Sequence, residues 1–149
     1  MLAAVTGASG HLGNALVRAL LAQGHEVRAV DIVPSVGFEG LDIEWRAGNV
    51  LDAEQIRDAI DGVHVVFHLA ARISVTGDPD GVVRRINVDG VRNTARAALD
   101  VGAGRFVHCS SVHAFDLERA RHHVARFAHL LEQPFESAVV PKPFPQRLA

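Results

Sequence analysis

Three glycines, Gly7, Gly10 and Gly13, follow directly on a short apolar run, Leu2 to Val5. A strand that ends in such a turn and enters a helix leaves backbone N–H groups unpaired at the positive end of the helix dipole. That arrangement holds a phosphate or pyrophosphate. Each glycine has a task in it: Gly7 permits the tight turn, Gly10 lets the backbone approach the phosphates, and Gly13 lets the helix lie close against the sheet. The second chemical group is Asp31, 18 residues beyond Gly13. A carboxylate at the end of the next strand accepts hydrogen bonds from a ribose diol and repels a 2′-phosphate, which favours NAD over NADP. Arg28 stands three residues before Asp31, on the opposite face of an ideal strand, and does not qualify as a phosphate clamp. The alternative is a βαβ unit with a glycine-rich turn and no ligand. The full run of strand, turn, helix, strand and terminal acid argues against it.

The elements that must position these groups alternate along the chain. A helix runs from Leu12, with Leu12, Leu16, Ala19 and Leu20 at helical spacing, and Gly24 closes it. His25 to Val30 reads as the second strand and Asp42 to Ala47 as the third. Asp52 caps a helix from Ala53 to Ile60. Val63 to Leu69 is a near-continuous apolar run, as in a strand buried on both faces. Pro79 precedes a long helix from about Asp80 to Val101, with Val83, Ile86, Val91, Ala95, Ala98 and Leu99 as its buried stripe. Arg105 to Cys109 is the fifth strand, in which Cys109 is expected to be a buried, inert side chain. His68 is expected to be a satisfied histidine near a strand end. The alternation predicts a doubly wound parallel α/β sheet, Rossmann-like, in the order 3-2-1-4-5. Ligands then bind beyond the carboxyl ends of the strands, where all the singled-out segments fall.

Length and composition narrow the classes. At 149 residues the chain fits one domain, and 48% hydrophobic residues suffice for a core. A net charge of −2 argues against nucleic acid or an anionic membrane as partner. A lone cysteine suits a reducing compartment, and no stretch is long enough to span a bilayer, so a cytoplasmic location is expected. His108, His113, His122, His123 and His129 repeat no known ligand frame, and no metal is assigned.

Taken together, Thr6-Gly7-x-x-Gly10-x-x-Gly13, Asp31, Gly48-Asn49-Val50-x-Asp52, His68-Leu69-Ala70-Ala71, Asn87-Val88-x-Gly90-x-x-Asn93-Thr94 and Arg105-Phe106-Val107-x-x-Ser110-Ser111 resemble the extended short-chain dehydrogenase/reductase family, also called NAD-dependent epimerase/dehydratases. Within it the pattern is most similar to the dihydroflavonol-reductase-like and 3β-hydroxysteroid-dehydrogenase-like branch. The resemblance implies that Gly7, Ser9, Gly10, His11, Leu12 and Gly13 line the pyrophosphate turn and that Asp31 and Ile32 meet the adenosine ribose. It places Asn49 and Val50 beside the adenine; many members carry Asp where this chain has Asn49, and an amide can still accept from the adenine amino group. Leu69, Ala70 and Ala71 would pass the nicotinamide ribose. Asn87 would hold the long helix and the pocket, Ser110 would belong to the cofactor site, and the Ser111 hydroxyl would meet the substrate oxygen.

The pattern then stops. The family's proton donor is Tyr in Tyr-x-x-x-Lys, whose phenol is acidified by the lysine and the nicotinamide charge. This chain has no Tyr, and its single lysine, Lys142, lies between Pro141 and Pro143, where a helix is nearly impossible. Members of the family continue with two more strands and a substrate lobe; here 34 residues follow Phe115. All 13 glycines lie at or before Gly104, and the last stretch is rich in Arg, His and Pro. The expectation is a dinucleotide-binding domain over 1–115, then a tail with an amphipathic helix over 117–132 and a proline-rich, extended end. A truncated chain or a shifted reading frame would account for that change. The function expected is the NAD-binding part of an oxidoreductase acting on a secondary alcohol or ketone, inactive alone and self-associating through an exposed sheet edge or helix faces. The alternatives are a non-catalytic NAD-binding sensor or partner subunit, and a non-functional fragment.

Overall fold

Ala3, Ala4 and Val5 are all fully buried and alternate between two cores, so both faces of β1 (Leu2–Thr6) are covered. Small residues at the centre of a sheet let helices approach from either side. In this computed structural model the described residues are 1–75 and 77–111. They divide between two compact units, Met1–Cys109 and Ser110–Ala149. The expected helix over 117–132 and the extended end lie outside the described residues.

The first unit is built on five parallel strands in the order β3-β2-β1-β4-β5: β1, β2 (Glu26–Asp31), β3 (Glu44–Ala47), β4 (Val65–His68) and β5 (Arg105–His108). This is the Rossmann-like order expected from the alternation of elements. On one face α1 (His11–Ala22) covers Val5, Val27, Ala29 and Val65 with Val17 and Leu20. On the other, α2 (Ala53–Ala59) and α4 (Val91–Asp100) cover Ala4, Val30 and Val66 with Ile56, Ala59, Ala97 and Ala98. Asp52 caps α2 by accepting from Gln55 N–H at 3.0 Å. Arg28 bonds Glu44 at 2.7 Å and also donates to the carbonyls of Ala59 and Asp61, tying β2, β3 and the end of α2 together. Its hydrogen bond holds the Glu44 carboxyl below its ordinary range.

Four sequence expectations change. The buried stripe of α1 is Gly13, Val17 and Leu20, rotated from the expected one, and Leu12 stands exposed at the helix start. β3 begins at Glu44 rather than Asp42, because Leu41 and Ile43 form a turn. The long helix is not continuous: α3 (Val82–Arg84) passes into a π-helical segment, Arg85–Gly90, before α4. The wider turn shifts the helix phase, so Gly90, Thr94, Ala97 and Ala98 are buried while Leu99 is 73% exposed. Cys109 is exposed, because β5 is the edge strand among the described residues and only Phe106 of its four is even half-buried.

Candidate dinucleotide-binding site

The site is built where β1 ends. Gly7 adopts φ +71°, and its missing side chain is needed: a Cβ there would stand 2.6 Å from Ala70 N and 2.7 Å from Ala70 Cα. The β1 turn and the segment after β4 therefore touch backbone to backbone, joined also by Leu69 N–H to the Thr6 carbonyl at 3.0 Å. A Cβ on Gly13 would lie 2.7 Å from Ala8 Cα and 2.8 Å from Ala8 C, so the first turn of α1 rests on the glycine turn. The close approach expected of Gly13 thus falls on this turn rather than on the sheet.

The donors of the turn can be counted. Ala8 N–H reaches Val30 O at 3.4 Å and Gly10 N–H reaches Gly7 O at 3.1 Å. Ser9 N–H goes to Asp31 Oδ2 at 2.9 Å. The first helical bond is Asn14 N–H to Gly10 O at 2.9 Å. The N–H groups of His11, Leu12 and Gly13 come before it and have no acceptor within the helix. No acidic residue occupies the first turn, which would otherwise compete for them. These donors, at the positive end of a 12-residue helix, suit a pyrophosphate.

Asp31 sits at the end of β2, its two oxygens accepting from Ser9 N–H at 2.9 Å and Ile32 N–H at 2.7 Å. A carboxylate has about four acceptor positions, so both oxygens keep capacity for a diol. The chain beyond Asp31 is stitched to α1. Ser9 Oγ donates to Val33 O at 2.6 Å, Asn14 Nδ2 to Ser35 Oγ at 3.0 Å, and Arg18 to Gly37 O. Sequence reading missed Asn14, Arg18 and Ser35. The legible signal was the polar face of α1 one turn beyond the glycines.

Past β3, Gly48 N–H reaches Asp31 O at 2.8 Å. Asn49 N–H donates to Gln55 Oε1 at 2.6 Å, while Asn49 Oδ1 accepts from Leu51 N–H at 3.0 Å. Asn49 is exposed, but Val50 is buried against Gly90, and Asn93 Nδ2 holds its carbonyl at 3.0 Å. Asn87 uses both ends of its amide on one residue, accepting from Arg72 N–H at 2.8 Å and donating to Arg72 O at 2.9 Å. It therefore fixes the segment after β4 through its backbone. Asn87→Ala is expected to lower stability by about 1 kcal/mol and to speed amide exchange at Arg72, readable by hydrogen-exchange NMR.

His68 is the most buried polar group of the row Thr6, His68 and His108, which are register partners on β1, β4 and β5. Its Nδ1 lies 2.8 Å from Thr6 Oγ1, and its ring stacks on Phe106. Nε2 is buried and has no hydrogen-bond partner among the described residues, so the expectation of a satisfied histidine holds for one ring nitrogen only. Burial, with a smaller contribution from the charge of His108, pushes its pKa down to about 4. Ser110 and Ser111 follow Cys109 directly, are exposed, and belong to the second unit. Among the described residues no cluster of three or more His, Cys, Asp or Glu could hold a metal ion. Nor is any described helix long and apolar enough to cross a membrane.

A parallel sheet in this order, with its glycine turn, free helix N–H groups and strand-end acid on one edge, defines a Rossmann-type nucleotide-binding unit. The model of the 3-beta hydroxysteroid dehydrogenase/isomerase family matches residues 4–126, and the chain belongs to that family, among the extended short-chain dehydrogenase/reductases. It is 39% identical over 134 residues to sterol demethylase protein B of Methylococcus capsulatus, covering 89% of this chain and 40% of that protein. It is 34% identical over 113 residues to a 3-beta-hydroxysteroid dehydrogenase of Mycolicibacterium neoaurum, covering 72% of this chain and 31% of the relative. Among solved structures it resembles a short-chain dehydrogenase/reductase superfamily protein from Agrobacterium tumefaciens with bound NAD. The TM-score there is 0.65 at 38% identity, over 74% of this chain and 33% of the other. The chain thus spans well under half the length of these relatives.

Proposed function

We propose that this chain is the NAD-binding part of an oxidoreductase that acts by hydride transfer on a secondary alcohol or ketone. The observation that carries it is the glycine cradle tied to Asp31: a turn closed to Cβ atoms at Gly7 and Gly13, three helix-start N–H groups with no acceptor within the helix, and a carboxylate one strand away. Kinship to a family of oxidoreductases and to a solved relative with bound NAD supports the same cofactor. The N–H groups of His11, Leu12 and Gly13 would hold the pyrophosphate, Asp31 the adenosine diol, and Leu69 to Ala71 would flank the nicotinamide end. When bound, NAD supplies the hydride acceptor. The 149 residues contain no Tyr, and we assign the proton donor to residues outside them. These residues alone would then bind NAD without turning substrate over.

The test is calorimetric titration of the full chain with NAD and NADP. Saturable NAD binding is expected, with NADP weaker. Asp31→Ala should weaken NAD by about tenfold or more, the effect of losing hydrogen bonds to a charged acceptor, and narrow the gap to NADP. A folded protein that binds neither dinucleotide would sink the reading.

A further inference from the structure

β3 is an outer strand of the sheet, hydrogen-bonded to β2 and to no other strand among the described residues. Its outward backbone groups can be named. Gly48 N–H points inward, to Asp31 O at 2.8 Å. Backbone groups alternate sides along a strand, so Glu44 and Arg46 also bond inward, and the N–H and C=O groups of Trp45 and Ala47 face outward. Such a row is a template for another strand.

The side chains of this edge suit one partner in particular. Glu44 and Arg46 share one face, and Trp45, the only tryptophan in the chain, stands on the other and is 37% exposed. Arg46 is paired with Glu44 of its own strand, and Glu44 Oε2 takes Arg28 at 2.7 Å. A carboxylate has about four acceptor positions, so Glu44 can take a further guanidinium. Charged residues on an edge ordinarily keep other strands away. Here the two charges are opposite and flank Trp45, so a second copy of the same strand can meet them with their opposites.

We propose that β3 is the contact of a two-fold dimer of this chain, in which two copies of the strand run antiparallel with Trp45 opposite Trp45. In that register the two Trp45 residues exchange a pair of backbone hydrogen bonds. Glu44 of each copy then stands opposite Arg46 of the other, in the closer, non-hydrogen-bonded kind of pair. A slip of two residues in either direction sets Glu44 against Glu44 or Arg46 against Arg46. A slip of one brings Glu44 and Arg46 to positions whose backbone groups are already used on β2. The contact is isologous and closes on itself. It joins two five-stranded sheets edge to edge, and because the strands of the copies run oppositely, their glycine turns lie at opposite edges of the joined sheet.

The experiment is sedimentation equilibrium of the full chain at micromolar concentrations, read beside the emission of Trp45. The wild type is expected to dimerise, and dilution through the same range should shift the emission to the red as the indole returns to water. Arg46→Glu sets like charges opposite each other in the dimer. Ala47→Pro removes an outward N–H that the register directs at Ile43 of the second copy and that β2 does not use, so the ladder to β2 stays whole. Each variant should raise the dissociation constant by about tenfold or more. Far-UV circular dichroism checks that both are folded. A monomeric wild type, a dimer that either folded variant leaves intact, or a dissociation that leaves Trp45 emission unmoved overturns the proposal.

Discussion

Gly13→Ala is expected to destabilise the chain by about 2 kcal/mol, even though alanine is the better helix former by about 1 kcal/mol. The new Cβ would meet the Gly7 carbonyl oxygen and stand 2.7 Å from Ala8 Cα. Those are backbone atoms of a turn held by Ser9 and Asp31, so they cannot rotate aside as a side chain would. Overpacking of this kind costs about 1–3 kcal/mol, and the helix start must lift off the turn. The N–H groups of His11 and Leu12 move with it, and NAD affinity should fall by at least about tenfold, since phosphate recognition depends on donor placement to a fraction of an ångström. Denaturant unfolding and calorimetry read the two effects separately. Gly24→Ala is the control: a Cβ there meets nothing within 4 Å, although φ is +76°. It should cost about 1–2 kcal/mol through backbone strain and leave NAD binding unchanged. Normal affinity in Gly13→Ala would show that the close approach does not organise the site.

The second large effect is acid sensitivity through His68. Burial holds this imidazole neutral in the folded chain, with a pKa lowered from an ordinary 6.5 to about 4. Between those values the unfolded chain binds a proton that the folded chain does not. The contribution is therefore complete above pH 6.5, drains as pH falls, and is gone near pH 4. The span corresponds to about 3 kcal/mol at most. Unfolding free energies measured from pH 7 to pH 4 should show this loss, and His68→Gln, which cannot take up the proton, should show a flatter profile from a lower starting stability. The carboxyl of Glu44, held down by Arg28, contributes in the same direction at lower pH, and the comparison between the two proteins removes it. An unchanged slope in His68→Gln would show that the proton goes elsewhere.

The sheet order and the three-glycine turn were legible because each depends on local signals: backbone freedom at Gly7, a strand-end acid at Asp31, a cap at Asp52. What could not be read were features set by neighbours distant in sequence. Leu99 has the right chemistry for a core, yet the π-helical segment before α4 turns it outward and brings Thr94 in, where its hydroxyl bonds the Gly90 carbonyl at 2.8 Å. Nothing local to Arg85–Gly90 announces an extra residue in that turn. Cys109 follows Phe106 and Val107 in a segment that reads as a buried strand, but among the described residues the pairing order leaves it on an edge. In the site, the position of Asp31 at the end of β2 follows from local pattern, while its hydrogen-bond partner Ser9 N–H depends on a fold contact across 22 residues. The orphaned His68 Nε2 is likewise a product of strand register, since it is Thr6 and Phe106 that define its surroundings.

The two ends of the cleft are anchored unequally. On the adenosine side Ser9, Asn14 and Arg18 fasten three successive points of the segment from Val33 to Gly37 onto α1. On the other side Asn87 fastens the segment after β4 at Arg72, and Ile73 and Val75 beyond it are 90% and 97% exposed. The entropy of ordering the first segment is lost once, when the chain folds, and a nucleotide arriving there meets a finished mould. Any ordering of the second would be charged against whatever binds over Ile73 and Val75. Affinity should therefore reside in the adenosine half, with selectivity for what lies beyond the nicotinamide left to groups that close on the less anchored side.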